Sequence, residues 1–533
     1  MVRVLEIVLD IVVPAPCPAT DENGQSDTAQ AAALAASFTA ALPQLAAPTA
    51  QGERVTTVVF DGEALLARDG WRIAVETCGG AREVAVSRRR TVTPGVTALT
   101  PIFAAPLDAD DVANALFDAA PEPFREALAE AGEPVAVAAL EFVRYRWPWV
   151  CEGVEAELIL ESGLRKRATP DDVAGDPPCL HELRLRAPWP DGAEAAPIVQ
   201  ALFACGDTLV DAASTDAPAF VRMTDALERA ASGSLAGDAE AVRAAPVDLA
   251  GADTDEAALV AIGRNISAQW FGNDAGVRDS AKTEFIHQMR ISQRRLRTAM
   301  RIFKRWQDET WTVRLKPDLA WLGTLLGDAR DRDVFVESTL PALAAADVEP
   351  ARWDAMRAAA DSERLAARAR VRDALRSPRY AHLALAWLRW LAALADREAA
   401  DGEFARSLHE HARKRVRRYY TCLAETKNLT SIDEASRHHA RIHAKYLRYT
   451  LEFFTPLLSR RTRTETVRTL ARLQAVLGDG NDAAVGLRFI EGMDVEPYQL
   501  GFARGWCEAV KRYTAKEGER LLRELRRPKV PRD

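Results

Sequence analysis

His287–Phe303 reads HQMRISQRRLRTAMRIF, and His438–Phe454 reads HHARIHAKYLRYTLEFF. At an offset of 151 and without a gap they share His287/His438, Arg290/Arg441, Ile291/Ile442, Leu296/Leu447, Arg297/Arg448 and Phe303/Phe454. A second pair keeps that offset: Leu319–Val334 (LAWLGTLLGDARDRDV) and Leu470–Val485 (LARLQAVLGDGNDAAV), identical at eight of 16 positions. Two separated segments with one offset mark a duplication. With helical patterning around them, they predict a bundle of two helical copies about a pseudo-two-fold axis.

In the first copy Arg290, Arg294, Arg297 and Arg301 recur at i, i+4, i+7 and i+11, within about 60° of arc at 100° per residue. His287 leads into this row, and Lys304 and Arg305 stay close to it. Phe285, Met289, Leu296, Met300 and Phe303 fall on the opposite side as a core face. In the second copy Arg441, Lys445 and Arg448 repeat the row behind His438, Glu452 replaces the fourth cation, and Leu447, Leu451 and Phe454 form the core face. A solvated helix face interleaves opposite charges, but no acid lies between Arg290 and Arg305. Like charges four residues apart cost ~0.2–0.5 kcal/mol per pair, so the row needs an anion or acids from another helix. Asp328, Asp331, Asp333, Asp479 and Asp482 are the candidate acids, as neutralising groups, as orienting groups or as helix N-caps. A third basic stretch, Arg406–Tyr420, puts Arg406, His409, Arg413, Arg417 and Tyr420 on one face, while Lys414, Arg415 and Arg418 point elsewhere.

The whole chain has 533 residues, 48% hydrophobic and 28% charged, the composition of a globular protein of two or three domains. Its net charge of -7 conceals an asymmetry. Residues 1–250 carry 19 Lys+Arg against 38 Asp+Glu, a net of -19, and residues 251–533 carry 51 against 39, a net of +12. The second part therefore faces an anionic partner. Of the 70 basic residues, 60 are Arg, whose planar fork suits phosphate. Seven scattered cysteines without a CxxC fit a reducing cytoplasm. No uninterrupted run of 18 apolar residues and no signal-peptide pattern occurs, so no membrane partner is expected.

Residues 1–225 read as α+β. Val2–Val13, Arg54–Phe60, Trp71–Thr77, Glu83–Val86, Ala136–Arg146, Ala156–Glu161 and Glu182–Arg186 are strand-like, and Asp110–Ala119 and Ile198–Ala213 are helix-like. Residues 226–255 read as a linker and 256–525 as helical throughout. No Walker A loop, GxGxxG, HExxH or GxSxG is present. His439 and His443, and the pair His409 and His411, have metal-compatible spacing but no further ligands nearby. No metal, cofactor or catalytic residue is expected. Trp306, Trp311 and Trp321 could stack on bases, though at helical spacing they read as core.

The quoted stretches resemble the CHAD domain, the conserved histidine α-helical domain, over roughly 256–520. The resemblance implies an all-α duplicated bundle whose basic stripes line a groove for inorganic polyphosphate. It implies phosphate contacts from Arg290, Arg294, Arg297, Arg301, Arg441, Lys445 and Arg448. His287 and His438 match the histidines that give the family its name, and Arg413 and Arg417 join the expected binding set from the third stretch. CHAD domains often follow a CYTH domain, a triphosphate-tunnel barrel of antiparallel strands, which residues 1–225 resemble in degenerate form. The E-x-E-x-K strand of that family is met only by Glu6-Ile7-Val8-Leu9-Asp10, and its L-R-x-R strand by Trp71-Arg72-Ile73-Ala74. Glu182-Leu183-Arg184-Leu185-Arg186 stands where a strongly acidic strand is usual. The expectation is a cytoplasmic polyphosphate binder at polyphosphate granules. The alternatives are a CYTH-type triphosphatase or polyphosphatase fed by the CHAD half, and a nucleic-acid binder. The latter is disfavoured by a pI of about 5.8 and the lack of a reader motif.

Overall fold

Alternation along the strands decides the first half of the molecule. In β3 (Trp71–Cys78) Trp71, Ile73 and Val75 are buried in an apolar cluster. Arg72, Ala74 and Glu76, one residue out of phase, line a cavity on the other face. The computed structural model describes residues 2–13, 25–62, 65–107, 112, 116, 121–166, 179–232, 240–400, 407–426 and 428–531. The helix expected over 110–119 lies largely outside them, as does Arg406.

Two compact units divide the chain: Met1–Glu240 with Arg376–Asp396, and Ala241–Leu375 with Arg397–Asp533. The first is built on β1 (Val4–Ile11), β2 (Ala50–Asp61), β3, β4 (Ala81–Thr93), β5 (Val96–Pro106), β6 (Val135–Cys151), β7 (Val154–Lys166), β8 (Cys179–Pro188) and β9 (Ala219–Arg222). The antiparallel order is β5-β4-β3-β2-β6-β7-β8-β1-β9. Pairing of Val4–Glu6 with Thr97–Leu99 joins β1 back to β5, so eight strands close a ring, and β9 pairs with the far half of β1. The closure is short, and β2 and β4 carry register shifts, so this is a strand ring rather than a regular barrel. β5 and β9 were missed in the sequence, β5 because Pro101 and Pro106 interrupt its pattern and β9 because it has four residues.

Helices α1 (Gln25–Ala41), α2 (Leu65–Arg68), α3 (Glu122–Ala131) and α4 (Ala195–Ala212) pack on the ring, whereas α5 (Ala226–Ala231) packs on its inner face, with Leu227 lining the cavity and clustered with Val55, Val59 and Leu140. Phe124 of α3 lies 5.3 Å from Trp71 between ring centroids. α4 packs on β1, β8 and β9. Among the described residues it is the helix long and apolar enough to cross a membrane, but Asp207 and Asp211 interrupt it and much of it is buried here. Residues 376–396 also belong to this unit: His382 bonds Asp207 and Asp211 of α4, and Leu385 abuts Gly206. Cys151 of β6 and Cys205 of α4 form a disulfide, a pairing that their scattered positions in the sequence did not suggest.

The second unit contains α6 (Asp255–Gly272), α7 (Asp274–Asp279), α8 (Thr283–Ile302), α9 (Lys316–Val334), α10 (Leu340–Ala345) and α11 (Asp354–Leu375). After α12 (Pro378–Ala400) come α13 (Leu408–Ala424), α14 (Glu434–Phe453), α15 (Val467–Glu491) and α16 (Pro497–Glu524). The sequence offset of 151 carries through to the elements. α8 and α14 begin and end at equivalent residues, as do the 3-10 turns Lys304–Trp306 and Thr455–Leu457. A π-helical turn precedes α9 at Thr310–Leu315 and α15 at Thr462–Thr466. Equivalent helices meet across the copies: α6 with α13, α8 with α14, α9 with α15. Equivalent residues meet too: Phe303 and Phe454 are 6.0 Å apart, and Phe335 fills the space beside Gly486. A self-complementary contact between like surfaces is what a two-fold relation produces.

Candidate functional site

The core side of α8 and α14 is set by their apolar stripe. Phe285, Met289, Leu296, Met300 and Phe303 are buried, as are Leu447, Leu451 and Phe454. Burying those faces turns the basic rows of the two helices toward each other's neighbourhood. The result is a cluster in equivalent pairs: Arg290 with Arg441, Arg294 with Lys445, and Asp331 of α9 with Asp482 of α15. Lys445 lies in the field of Arg441, Arg294, Arg290 and Asp482, and Arg441 in that of Asp482, Arg294, Arg290 and Asp331.

Few of these cations are neutralised. Arg290 donates to Asp331 Oδ1 at 2.6 Å and to the Gly327 carbonyl at 3.2 Å. Arg294 donates to the Tyr449 hydroxyl at 2.6 Å, a neutral partner. Arg441 has a buried Nε without a hydrogen-bond partner. Lys445 is half-buried and, among the described residues, makes no ion pair. Burial first, then Arg441, Arg294 and Arg290, push its ammonium down to about 6. The same factors act on the histidines. Burial and then Arg330 push His287 down to about 4, and burial with Arg441 and Lys445 lowers His438. The histidines are thus neutral near pH 7 and add hydrogen-bonding capacity rather than charge.

Farther along α8 the copies diverge. Arg297 lies across Gly323, where a Cβ would stand 3.0 Å from its Nη1. At the equivalent place Arg448 donates to Gln474 at 2.8 Å. Arg301 rests 4.7 Å above the Tyr446 ring. Arg413 and Arg417 line a different groove, between α13 and the C-terminal tail.

The acids of the repeated LGD segments are not N-caps, because α9 and α15 run through them. Asp331 orients Arg290, whereas Asp328 pairs with Arg332 and Arg370 and Asp333 is buried. The sequence reading passed over Arg295, which points away from the stripe. It is fully buried and donates to Glu452 at 2.7 Å, Gln269 at 3.0 Å and Asn265 at 2.7 Å. Glu452, which broke the second stripe, therefore ties α14 to α8. His411 stacks on Phe303 at 4.9 Å, a core role.

The ring interior holds more cations than the two weak motifs suggested, and they are spent on one another. Arg72 makes a two-pronged bond to Asp225 at 2.8 Å, and Arg89 reaches Asp225 at 2.8 Å and Glu228 at 3.0 Å. Arg144 grips Glu76 at 2.7 Å and 2.8 Å and Glu161 at 2.9 Å. Arg184 bonds Glu182 at 2.8 Å, and Arg186 bonds Glu6 at 2.6 Å. Arg222 and Arg229 bond Asp10, at 2.7 Å and 2.8 Å. Burial opposes ionisation of Asp225 and Glu161, yet the arginines hold both carboxyls below the usual range. The triphosphate-tunnel resemblance expected from the sequence would imply Mg²⁺, which needs several carboxylate oxygens free to converge. These residues do not fit it, since the interior acids are engaged by guanidinium groups. Among the described residues no three His, Cys, Asp or Glu side chains group to hold a metal ion.

The CHAD domain family model matches residues 261–491. This segment is a CHAD domain. The chain is similar to the crystal structure of the CHAD domain from the plant Ricinus communis, at 29% identity and a TM-score of 0.46, over 55% of this chain and 98% of that one. PptA from Streptomyces chartreusis is similar at 18% identity and a TM-score of 0.38, covering 51% and 99% of the two chains. HpAC1 from Hippeastrum, a putative adenylyl cyclase described as having a dominant triphosphatase activity, is similar at 17% identity and a TM-score of 0.23, over 34% of this chain and 79% of that one. No curated protein matches the chain. Within the CHAD domain the cluster on α8 and α14 belongs to the duplicated part, and α12 falls between the copies.

Proposed function

We propose that this protein binds inorganic polyphosphate through the basic faces of α8 and α14, and that it works in the cytoplasm at polyphosphate granules. The observation that carries the reading is the company Lys445 keeps. A lysine held among three arginines, with no ion-pair partner, destabilises the empty site and is relieved by a polyanion. Arginine forks on both helices supply two-pronged contacts to successive phosphates. Binding is electrostatic and involves no covalent step. The triphosphatase alternative is disfavoured by the ring interior, where the carboxylates a metal would need are bonded to arginines.

Retention of the full chain on immobilised polyphosphate tests this. The triple change Arg290→Glu, Arg294→Glu and Arg297→Glu should nearly abolish retention. The triple change Arg352→Glu, Arg357→Glu and Arg364→Glu alters net charge equally, but those arginines are already paired with Glu349, Asp354 and Asp361. It should act only through the long-range field, screened beyond about 8 Å at physiological salt. Equal losses from both would leave only a generally basic domain.

A further inference from the structure

A second groove lies on the bundle, bounded by α13, Ser459 and the C-terminal tail, with a volume of about 1060 Å³. Arg413, Lys414, Arg417, Arg418, Arg527 and Lys529 line it against one carboxylate, Glu410. All six cations are exposed, and none makes an ion pair with a described residue. Elsewhere on the same unit several surface arginines do find partners, Arg461 with Glu465, Arg520 with Glu517 and Arg523 with Glu519.

The tail wall is built rather than loose. The Lys529 N–H donates to Thr462 Oγ1 at 2.9 Å, and its carbonyl accepts from the Ser459 N–H at 3.1 Å. The Tyr420 hydroxyl donates to the Leu525 carbonyl at 3.4 Å. Leu525, Pro528 and Val530 are buried. The tail backbone is thereby held so that Arg527 and Lys529 face the same groove as four cations of α13, although like charges at close range repel.

We propose that this groove holds a second segment of the polyphosphate chain whose first segment occupies the α8–α14 cluster, an inference that rests on the function proposed above. Its lining contains no aromatic side chain, so it offers nothing on which a nucleobase could stack. It offers closely spaced cations, the complement of an unbranched chain bearing one charge per phosphate. The basic row of α8 comes close to α13. Arg301 sits over Tyr446, whose ring lies 5.6 Å from Tyr419 of α13, and Tyr419 feels Arg415, Arg301 and Arg418.

The test compares long-chain polyphosphate with tripolyphosphate, using the full chain and its variant Arg413→Glu, Arg417→Glu, Arg527→Glu, Lys529→Glu. The variant should bind long-chain polyphosphate about tenfold more weakly or worse, with a log–log salt slope shallower by about 3, taking ~0.7 per phosphate lost. Tripolyphosphate, too short to need the groove, should bind within about twofold of wild type, as expected if it uses the cluster's contacts alone. The corresponding Lys substitutions at Arg413, Arg417 and Arg527 should restore most of the long-chain affinity, which excludes a folding defect. Unchanged long-chain affinity and slope in the Glu variant, with binding still abolished by the α8 triple, would overturn the groove and spare the cluster. Absence of polyphosphate binding by wild type would overturn both. Loss of single-stranded RNA binding with polyphosphate binding intact would reassign the groove and overturn the proposal.

Discussion

On the function proposed above, Lys445 should make polyphosphate affinity depend on pH between about 6 and 8. Its value of about 6 in the empty site means that half of the molecules carry the charge at pH 6 and roughly 1% at pH 8. A bound polyanion reverses the cause of the shift, because phosphates offset Arg441, Arg294 and Arg290, so the lysine is protonated in the complex. Only the protonated fraction is competent, and apparent affinity falls in proportion to it: about 50-fold between pH 6 and pH 8, or roughly 2.3 kcal/mol. His287 is pushed down to about 4 and His438 is lowered, and the internal phosphates of a long chain stay ionised. Protonation of Asp482, raised by burial, would strengthen anion binding at low pH as well, so the comparison with Lys445→Arg isolates the lysine. Titration calorimetry at pH 8 in two buffers of different ionisation enthalpy should count close to one proton taken up per binding event. Lys445→Arg should flatten the profile and bind at pH 8 as wild type does at pH 6. A flat wild-type profile, or a slope that persists in Lys445→Arg, would refute the reasoning.

Salt gives an independent measure: if about six phosphates are neutralised, affinity should fall with a log–log slope near -4, and a slope near zero would exclude the stripes. Lys445→Met should raise the stability of the ligand-free protein by about 1–2 kcal/mol, since it removes an amine that must surrender its proton on folding near neutral pH, while weakening binding; a lower unfolding midpoint would contradict this. Arg144→Ala leaves Glu76 and Glu161 without their shared cation and should cost about 3–5 kcal/mol in urea unfolding of the ring. The Asp207 hydrogen bond raises the pKa of His382, so its contribution is complete below the ordinary histidine value and disappears as pH rises through the raised one. His382→Gln should therefore lose about 1 kcal/mol at pH 5.5 and little at pH 9, and an equal loss at both would rule out the charge. Tripolyphosphate with Mg²⁺ should yield no phosphate above background; release abolished by Arg144→Ala would restore the enzyme reading.

Much of the bundle was legible because a duplication is written twice. The 151-residue offset, the 3.6-residue period of the arginines and the opposite apolar stripe together marked α8 and α14 as an equivalent pair of helices and identified the face that carries charge. Periodicity is a local property, and local properties survive in one dimension. Which charges cancel is not local. Asp331 and Asp482 were visible as acids, but only packing separates Asp331, bonded to Arg290, from Asp328, which turns to Arg332 and Arg370. Periodicity sets Arg295 off the row, but only packing shows that it is buried against Glu452, Gln269 and Asn265 as a structural cation. In the first half, alternation identified most strands. The ion pairs inside the ring join residues as far apart as Arg72 and Asp225, and Arg222 and Asp10, and no spacing rule connects them. The sequence by itself thus determined the repeat, the helical class and the cationic stripe, because each repeats at a fixed step along the chain. Tertiary structure alone decided which cations remain unneutralised, because ionic partners are chosen by distance in space, and folding brings together carboxylates and guanidinium groups that the chain keeps far apart.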